Sequence, residues 1–203
     1  MESMKSGVLG GTFDPIHNGH LKIAGEVAGK LSLDEVIFVP AGRPPLRPGG
    51  PVAEGEHRVR MVCLAVDNIP GYKVSTLEMD RIGMSYTVDT IAELRGRLGH
   101  GIYFIMGWDS LDELPRWRDP VRLASLCRLV AVPRSGYPRP DLNALDSLVP
   151  GLKKSIIMLE EPLIDISSSD IRGRIARGQS INHLVPRAVV DYIGEQGLYA
   201  SMQ

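Results

Sequence analysis

Short apolar runs alternate with amphipathic runs along most of the chain, and this alternation constrains the fold more than any other feature. The apolar runs have the length of buried strands, and the segments between them place apolar residues at helical spacing. Strands that alternate with helices form a parallel sheet covered by helices. The sequence therefore predicts a doubly wound, Rossmann-like α/β fold with a parallel sheet, helices on both faces and a small helical portion at the C-terminus.

The predicted elements follow this order. Strands are expected at Val8-Leu9 and over 36–39, 72–75, 102–106, 129–132 and 156–159, and helices over 21–31, 57–66, 88–98, 121–126, from about 167 and over 186–195. Thr87 or Ser85 is expected to cap the third helix. The stretch 133–150 is expected to be a polar connection. No internal repeat or linker marks a second large domain, so residues 1–203 are predicted to form a single domain.

Composition excludes several classes of protein. The chain has 203 residues, 43% of them hydrophobic, which suits a globular core, and its net charge of -1 gives no support to a nucleic-acid partner. No apolar run approaches the ~18 residues of a membrane span, and the N-terminus lacks the apolar core of a signal peptide. Cys63 and Cys127 lie in apolar stretches, which favours buried thiols and a cytoplasmic location.

The segment Gly10 to His20, GGTFDPIHNGH, is predicted to form a strand end, a tight turn and a helix start. Glycines at such a turn let the backbone approach a ligand, and the N–H groups of a helix start favour phosphate. His17 and His20 are three residues apart, so the spacing places both on one face of the first helical turn. Two alternatives stay open from these residues: an ordinary turn with surface histidines, or half of a metal site.

Three further segments offer polar groups near predicted strand ends. A Pro/Gly-rich loop over 41–51 carries Arg43 and Arg47, which would meet phosphates if the loop borders a ligand crevice. Trp117 lies between two arginines and is predicted either to pack in the core or to stack on a flat ring. The serines of 166–172 form a strong helix start.

Two of these segments resemble known signatures. Gly10 to His20 resembles the signature of the HxGH nucleotidyltransferases, and ISSSDIR over 166–172 resembles the second signature of that superfamily. Within the superfamily, 85–90, Gly107-Trp108-Asp109, 117–120 and the ending 185–199 are similar to the bacterial nicotinate-nucleotide adenylyltransferases. The chain contains neither a P-loop nor a G-x-G-x-x-G fingerprint.

This resemblance implies an enzyme that joins AMP from ATP to nicotinate mononucleotide, yielding deamido-NAD and pyrophosphate, with Mg²⁺ carried by ATP and no metal ligands from the protein. The residues implied to bind ATP are Gly10, Gly11, Thr12, Phe13, His17, His20, Gly107, Asp109, Ile166, Ser167, Ser168 and Arg172. Among them, Thr12 and His20 would meet the reacting phosphates, His17 the ATP phosphates, Ser168 and Arg172 the pyrophosphate, and Asp109 a ribose hydroxyl. Thr12, His17, His20 and Arg172 are the implied catalytic residues.

The acceptor site implied by the resemblance comprises Arg47, Ser85, Tyr86, Thr87 and Trp117, with the pyridine ring against Trp117 and its carboxylate on N–H groups near Tyr86 and Thr87. One departure is Leu46, where the family often has histidine. Alternatives are another acceptor, such as nicotinamide mononucleotide or phosphopantetheine, or a non-catalytic nucleotide sensor. The missing fingerprint counts against a dinucleotide oxidoreductase. Whether the chain forms a homo-oligomer is left open.

Overall fold

Parallel strands form a six-stranded sheet in the computed structural model, which describes residues 4–44, 50–99 and 101–200. The strands are β1 (Lys5–Gly11), β2 (Glu35–Pro40), β3 (Tyr72–Val74), β4 (Gly101–Gly107), β5 (Arg128–Val132) and β6 (Ile156–Met158). Their order is β3-β2-β1-β4-β5-β6, and every neighbouring pair is parallel. The chain winds outward in both directions from the β1–β4 pair, which confirms the predicted doubly wound fold.

Helices connect the strands and close the chain. They are α1 (Asn18–Leu31), α2 (Gly55–Val66), α3 (Thr87–Leu98), α4 (Trp108–Glu113), α5 (Pro120–Leu126), α6 (Leu142–Leu148), α7 (Leu152–Ser155), α8 (Ser168–Ala176) and α9 (Arg187–Glu195), with a 3-10 turn over Leu114–Arg116. The short helices α4, α6 and α7 were not predicted, and α6 lies inside the stretch expected to be a polar loop. Each is too short for a clear apolar period.

The two faces of the sheet carry separate apolar cores, because successive strand residues point to opposite faces. On one face, Leu9 and Phe38 pack with α1, α2, α8 and α9; on the other, Val8 and Ile37 pack with α3, α5 and α7. The helices of the C-terminal portion therefore complete the first core. In the described ranges, every helix is too short or too polar to span a lipid bilayer.

The two cysteines are free thiols, as predicted. Cys127 is buried, as predicted, whereas the prediction of burial is wrong for Cys63, which is half-buried. Burial raises the pKa of the Cys127 thiol to about 12, so it stays protonated at neutral pH. A fully protonated, buried thiol is unreactive, which leaves Cys127 a packing role.

The start of the motif differs from the prediction. Gly10 and Gly11 are the last residues of β1, where they pair with Val39 and Pro40 of β2, rather than a turn after the strand. The turn is instead the loop 12–16, and α1 begins only at Asn18. Strand pairing extends through the glycines because β2 continues alongside them to Pro40.

Candidate active site

A cleft of about 400 Å³ opens at the carboxyl ends of β1, β4 and β5. The strand order reverses between β1 and β4, and ligands of doubly wound sheets bind at this switch point. The structure brings together here all the predicted ATP-binding residues except Arg172, namely Gly10, Gly11, Thr12, Phe13, His17, His20, Gly107, Asp109, Ile166, Ser167 and Ser168. The cleft therefore occupies the place at which this type of fold binds ligands.

His17 and His20 stand side by side at the start of α1. Their rings stack with centroids 3.7 Å apart and an angle of 26° between the planes. The prediction that both lie on the first helical turn is wrong for His17, which is the N-cap residue with an extended backbone (φ -144°, ψ 168°). The helix starts one residue later because the preceding loop is held by tertiary contacts described below.

Both imidazoles are neutral at pH 7. Burial, assisted by the charge of Arg134, lowers the pKa of His17 from 6.5 to about 4. Burial also lowers the pKa of His20 well below 6.5, with smaller contributions from His17 and Arg134. The two imidazoles therefore offer N–H hydrogen-bond donors to the cleft but add no positive charge to it.

The ring proton of His20 can be assigned from its hydrogen bond. The backbone N–H of His17 donates to Nδ1 of His20 at 3.2 Å. A neutral imidazole has one N–H, so an accepting Nδ1 leaves the proton on Nε2. His17 and His20 form a capping box at the start of α1, in which the side chain of each faces the backbone N–H of the other.

The carboxylate of Asp14 organises the loop between β1 and α1. Asp14 is fully buried. Its Oδ2 accepts the N–H of Val52 at 2.7 Å, and its Oδ1 accepts the N–H of Ala53 at 3.1 Å and the hydroxyl of Tyr199 at 2.8 Å. The motif itself does not indicate this role of Asp14, because all three donors to its carboxylate are remote along the chain.

Arg172 is not among the described residues that line the cleft. It is buried, and its Nη1 donates to the backbone oxygen of Asp14 at 2.7 Å while its Nη2 donates to Oγ of Ser169 at 3.3 Å. Its Nε is buried without a hydrogen-bond partner among the described residues. The structure places Arg172 against the loop, and its contact with pyrophosphate stays a prediction.

Arg58 is a second buried cation that the sequence did not indicate. Its Nη1 donates to the backbone oxygens of Thr12 at 2.9 Å and Ala41 at 2.8 Å, and its Nε donates to the oxygen of Ala53 at 3.2 Å. These carbonyls belong to the segments that leave β1 and β2. Arg58 therefore ties together the two backbone segments that border the cleft.

The far end of the cleft carries a charged pair formed by Asp109 and Arg134. Oδ2 of Asp109 accepts from the Arg134 guanidinium, while Oδ1 is buried and has no hydrogen-bond partner among the described residues. A Cβ at Gly107 would lie 2.3 Å from this Oδ1, so the carboxylate can occupy its position only beside glycine. Arg134 was missed, although it follows the end of β5 as Asp109 follows the end of β4.

The serines at the start of α8 also border the cleft. Ser167 is the N-cap residue, and its side chain accepts the N–H of Asp170 at 3.1 Å. Oγ of Ser168 donates to the backbone oxygen of Pro15 at 2.9 Å. The second motif is thereby joined to the first, although the two are about 150 residues apart in the chain.

A second cleft, of about 690 Å³, adjoins the first. It contains the predicted acceptor residues Ser85, Tyr86, Thr87 and Trp117. The two clefts share Gly10, Gly11, Thr12, Phe104, Ser110 and Trp117. The indole of Trp117 is half-buried and meets the ring of Phe104 edge to face, with centroids 6.2 Å apart. Trp117 thus lies at the boundary between the clefts and not in the interior of the protein.

The N-terminus of α3 opens into this second cleft without a side-chain cap from the described residues. Tyr86 is the N-cap residue, so the prediction that Thr87 or Ser85 caps the helix is wrong. Oγ of Ser85 instead accepts the N–H of Arg43 and donates to the backbone oxygen of Glu78, both at 3.4 Å. The serine hydroxyl is engaged by the loop after β2. The N–H of Asp89 is hydrogen-bonded to the backbone oxygen of Tyr86 at 3.0 Å, which leaves the N–H groups of Thr87 and Val88 at the helix start for a ligand.

The remaining predicted residues of that loop are placed as follows. Arg43 is exposed and is not among the residues that line either of these two clefts. Arg47 and the unusual Leu46 lie outside the described residues.

Comparison with known proteins agrees with this architecture. Residues 8–174 match the model of the cytidylyltransferase-like family. The Plasmodium falciparum nicotinic acid mononucleotide adenylyltransferase complexed with NaAD has the same fold, with a TM-score of 0.78 and 20% identity over 97% of each chain. By its family match and its fold, the chain is a nucleotidyltransferase.

Curated relatives narrow this class further. The chain is 48% identical over 98% of its length to a probable nicotinate-nucleotide adenylyltransferase of Dehalococcoides mccartyi strain CBDB1, of which it covers 98%. It is 47% identical to that of Roseiflexus sp. strain RS-1, over 98% of this chain and 100% of the relative. The chain belongs to the nicotinate-nucleotide adenylyltransferase family, which confirms the resemblance drawn from its motifs.

Proposed function

We propose that this protein transfers AMP from ATP to nicotinate mononucleotide, forming deamido-NAD and releasing pyrophosphate. The observation that carries this proposal is the meeting of two clefts at Gly10, Gly11 and Thr12. ATP in the first cleft and the acceptor in the second would bring the acceptor phosphate to the α-phosphorus. The names of the curated relatives support the same reaction.

The acceptor's own phosphate oxygen is the nucleophile in this reaction. It forms a bond to the α-phosphorus while the bond to the leaving pyrophosphate oxygen breaks, so the enzyme needs no serine or cysteine nucleophile. Its contribution is to position the two nucleotides and to stabilise the charge that develops on the transferred phosphoryl group.

His20 and Thr12 would act at the reacting phosphates. A neutral His20 with its proton on Nε2 is a hydrogen-bond donor that is already in place, so no reorganisation is needed as negative charge develops. His17 would donate to the ATP phosphates. The start of α8, with Ser168, would receive the pyrophosphate, since helix N-termini favour anions.

Asp109 would bind the ribose of ATP. Its Oδ1 is a buried acceptor without a partner among the described residues, and a ribose hydroxyl is a donor of the right kind to complete it. Arg134 would hold the other carboxylate oxygen and keep the side chain in position.

The nicotinate ring would stack on Trp117, with its carboxylate at the start of α3. That helix has no side-chain cap among the described residues, so the N–H groups of Thr87 and Val88 at its start would receive the anion. A neutral amide would gain less there. The same arrangement supports nicotinate mononucleotide over nicotinamide mononucleotide as the acceptor.

Magnesium would enter with ATP. The described residues contain no group of three or more His, Cys, Asp or Glu side chains able to hold a metal ion. Mg²⁺ that is bound to a nucleotide is held by phosphate oxygens and water molecules and needs few ligands from the protein. A site without a cluster of protein ligands suits such an ion. When bound, the ion would neutralise phosphate charge.

The test is release of pyrophosphate from Mg-ATP by the purified protein. Nicotinate mononucleotide, nicotinamide mononucleotide, phosphopantetheine and a sample without acceptor are compared at equal concentration. The proposal expects the fastest release with nicotinate mononucleotide and none without acceptor. Faster release with another acceptor would assign a different substrate, and no release with any would indicate a nucleotide sensor.

A further inference from the structure

The C-terminal end of the described chain reaches the catalytic loop through one hydrogen bond. The hydroxyl of Tyr199 donates to Oδ1 of Asp14 at 2.8 Å, across 185 residues of sequence. Tyr199 is buried in the same apolar core as α1 and α2. Burial and the neighbouring Asp14 carboxylate raise the pKa of Tyr199 above its ordinary value, so its hydroxyl remains a donor.

The donor of this hydrogen bond and the residue that precedes its acceptor both lie in unfavourable backbone conformations. Tyr199 has φ 66° and Phe13, which precedes Asp14, has φ 49°. Bulky residues rarely adopt this left-handed region, and they persist there only where the surroundings enforce it. The loop 12–16 therefore depends on its tertiary contacts to keep its shape.

The contacts of Asp14 are the ones that enforce this shape. Its carboxylate accepts three hydrogen bonds, and its backbone oxygen accepts one from Arg172. Phe13 in turn meets the ring of His20 edge to face, with centroids 5.0 Å apart. A shift of Asp14 would move Phe13 and, with it, the imidazole that faces the cleft.

We propose that Tyr199 is a positioning residue for the transfer reaction: through Asp14 it holds the loop 12–16 in the shape that aligns His17 and His20 with the reacting phosphates. This inference rests on the proposed function, since it concerns the rate of that reaction. Tyr199 is not among the described residues that line either cleft, so it would act only through the loop.

The experiment compares Tyr199→Phe with Tyr192→Phe. Each removes one hydroxyl from the C-terminal portion, and the hydroxyl of Tyr192 is hydrogen-bonded to Nδ1 of His57 at 2.8 Å, a contact that includes no residue of the loop 12–16. Phenylalanine keeps the packed ring in both cases. Thermal unfolding of each variant measures the loss of stability, and single-turnover formation of deamido-NAD at a temperature where both are folded measures the transfer step.

We expect Tyr199→Phe to lower the single-turnover rate about fivefold or more, since small misplacements of reacting groups reduce rates strongly, with KM for ATP and acceptor within about twofold. Tyr192→Phe should transfer at the wild-type rate, even if it loses as much stability. Equal transfer rates for the two variants would overturn the inference and show that Tyr199 only stabilises the fold. An inactive wild type would instead refute the proposed function.

Discussion

Acidification from about pH 7 to about pH 5 should destabilise this protein through His17. The side chain is 5% exposed, and burial with the charge of Arg134 lowers its pKa from 6.5 to about 4. As the pH falls below 6.5, the unfolded chain binds a proton at this position while the folded protein does not. The contribution of neutral His17 to the free energy of unfolding is therefore fully present above about pH 7 and is lost progressively as the pH falls toward 4.

The size of the effect follows from the two pKa values. A difference of one pKa unit corresponds to about 1.4 kcal/mol. The shift from 6.5 to about 4 therefore changes the free energy of unfolding by about 3 kcal/mol in total, and by about 2 kcal/mol between pH 7 and pH 5. That is a large part of the stability of a typical domain.

The assay is urea unfolding at both pH values for wild type and His17→Asn. Asparagine is a good N-cap residue that does not titrate, and any cavity that it leaves costs the same at both pH values. We expect the wild type to lose about 2 kcal/mol more than the variant between the two conditions. A difference below about 0.5 kcal/mol would refute the argument that His17 is buried in its neutral form.

Four further predictions concern substrate binding and turnover. His20→Ala should lower kcat by about 10²-fold or more, because the variant loses a preorganised hydrogen-bond donor. His183 is exposed and outside the cleft, so His183→Ala should leave kcat unchanged. If kcat of His20→Ala stays within a few-fold of the wild-type value, His20 has only a packing role. Wild type should prefer nicotinate over nicotinamide mononucleotide by roughly ten- to a hundredfold in kcat/KM, from ~0.3–1 kcal/mol of helix dipole and ~1–2 kcal/mol of stronger hydrogen bonds. Trp117→Ala should raise the KM of both acceptors by the same factor, and an increase for only one acceptor would contradict stacking on the indole. Asp109→Ala should raise the KM for ATP about tenfold with little change in kcat. Asp112 lies on the exposed side of α4, so Asp112→Ala should leave the KM for ATP unchanged. An unchanged KM in Asp109→Ala would exclude a contact between Asp109 and the ribose.

The controls illustrate how far sequence alone can guide such experiments. His57, in a predicted helix away from both motifs, looks like a neutral position. In the structure its ring is hydrogen-bonded to Tyr192 of α9, so His57→Ala would perturb the packing of α2 on α9. His183 is the better control because its side chain is exposed.

The sequence by itself determined the fold class and the place of the site. The strands β2, β4 and β5 are short continuous apolar runs, and the helices α1 and α3 place apolar residues at helical spacing, so the alternation of the two patterns predicts a parallel sheet. The ends of parallel strands then define where a ligand binds. The residues that would face the nucleotides follow directly after those ends, within a few positions of a strand or a helix start.

Only the tertiary structure decided what holds these residues in place. The three hydrogen-bond donors to the carboxylate of Asp14 lie 38, 39 and 185 residues away in the chain. Arg58 lies 46 residues from Thr12, whose backbone oxygen it contacts. Contacts of this kind leave no period or spacing in the chain. Ser85 shows the same limit, because the loop after β2 competes for the hydroxyl that local propensity assigns to a helix cap. Buried polar groups pair with whichever partner folding brings beside them, and sequence distance does not restrict that choice.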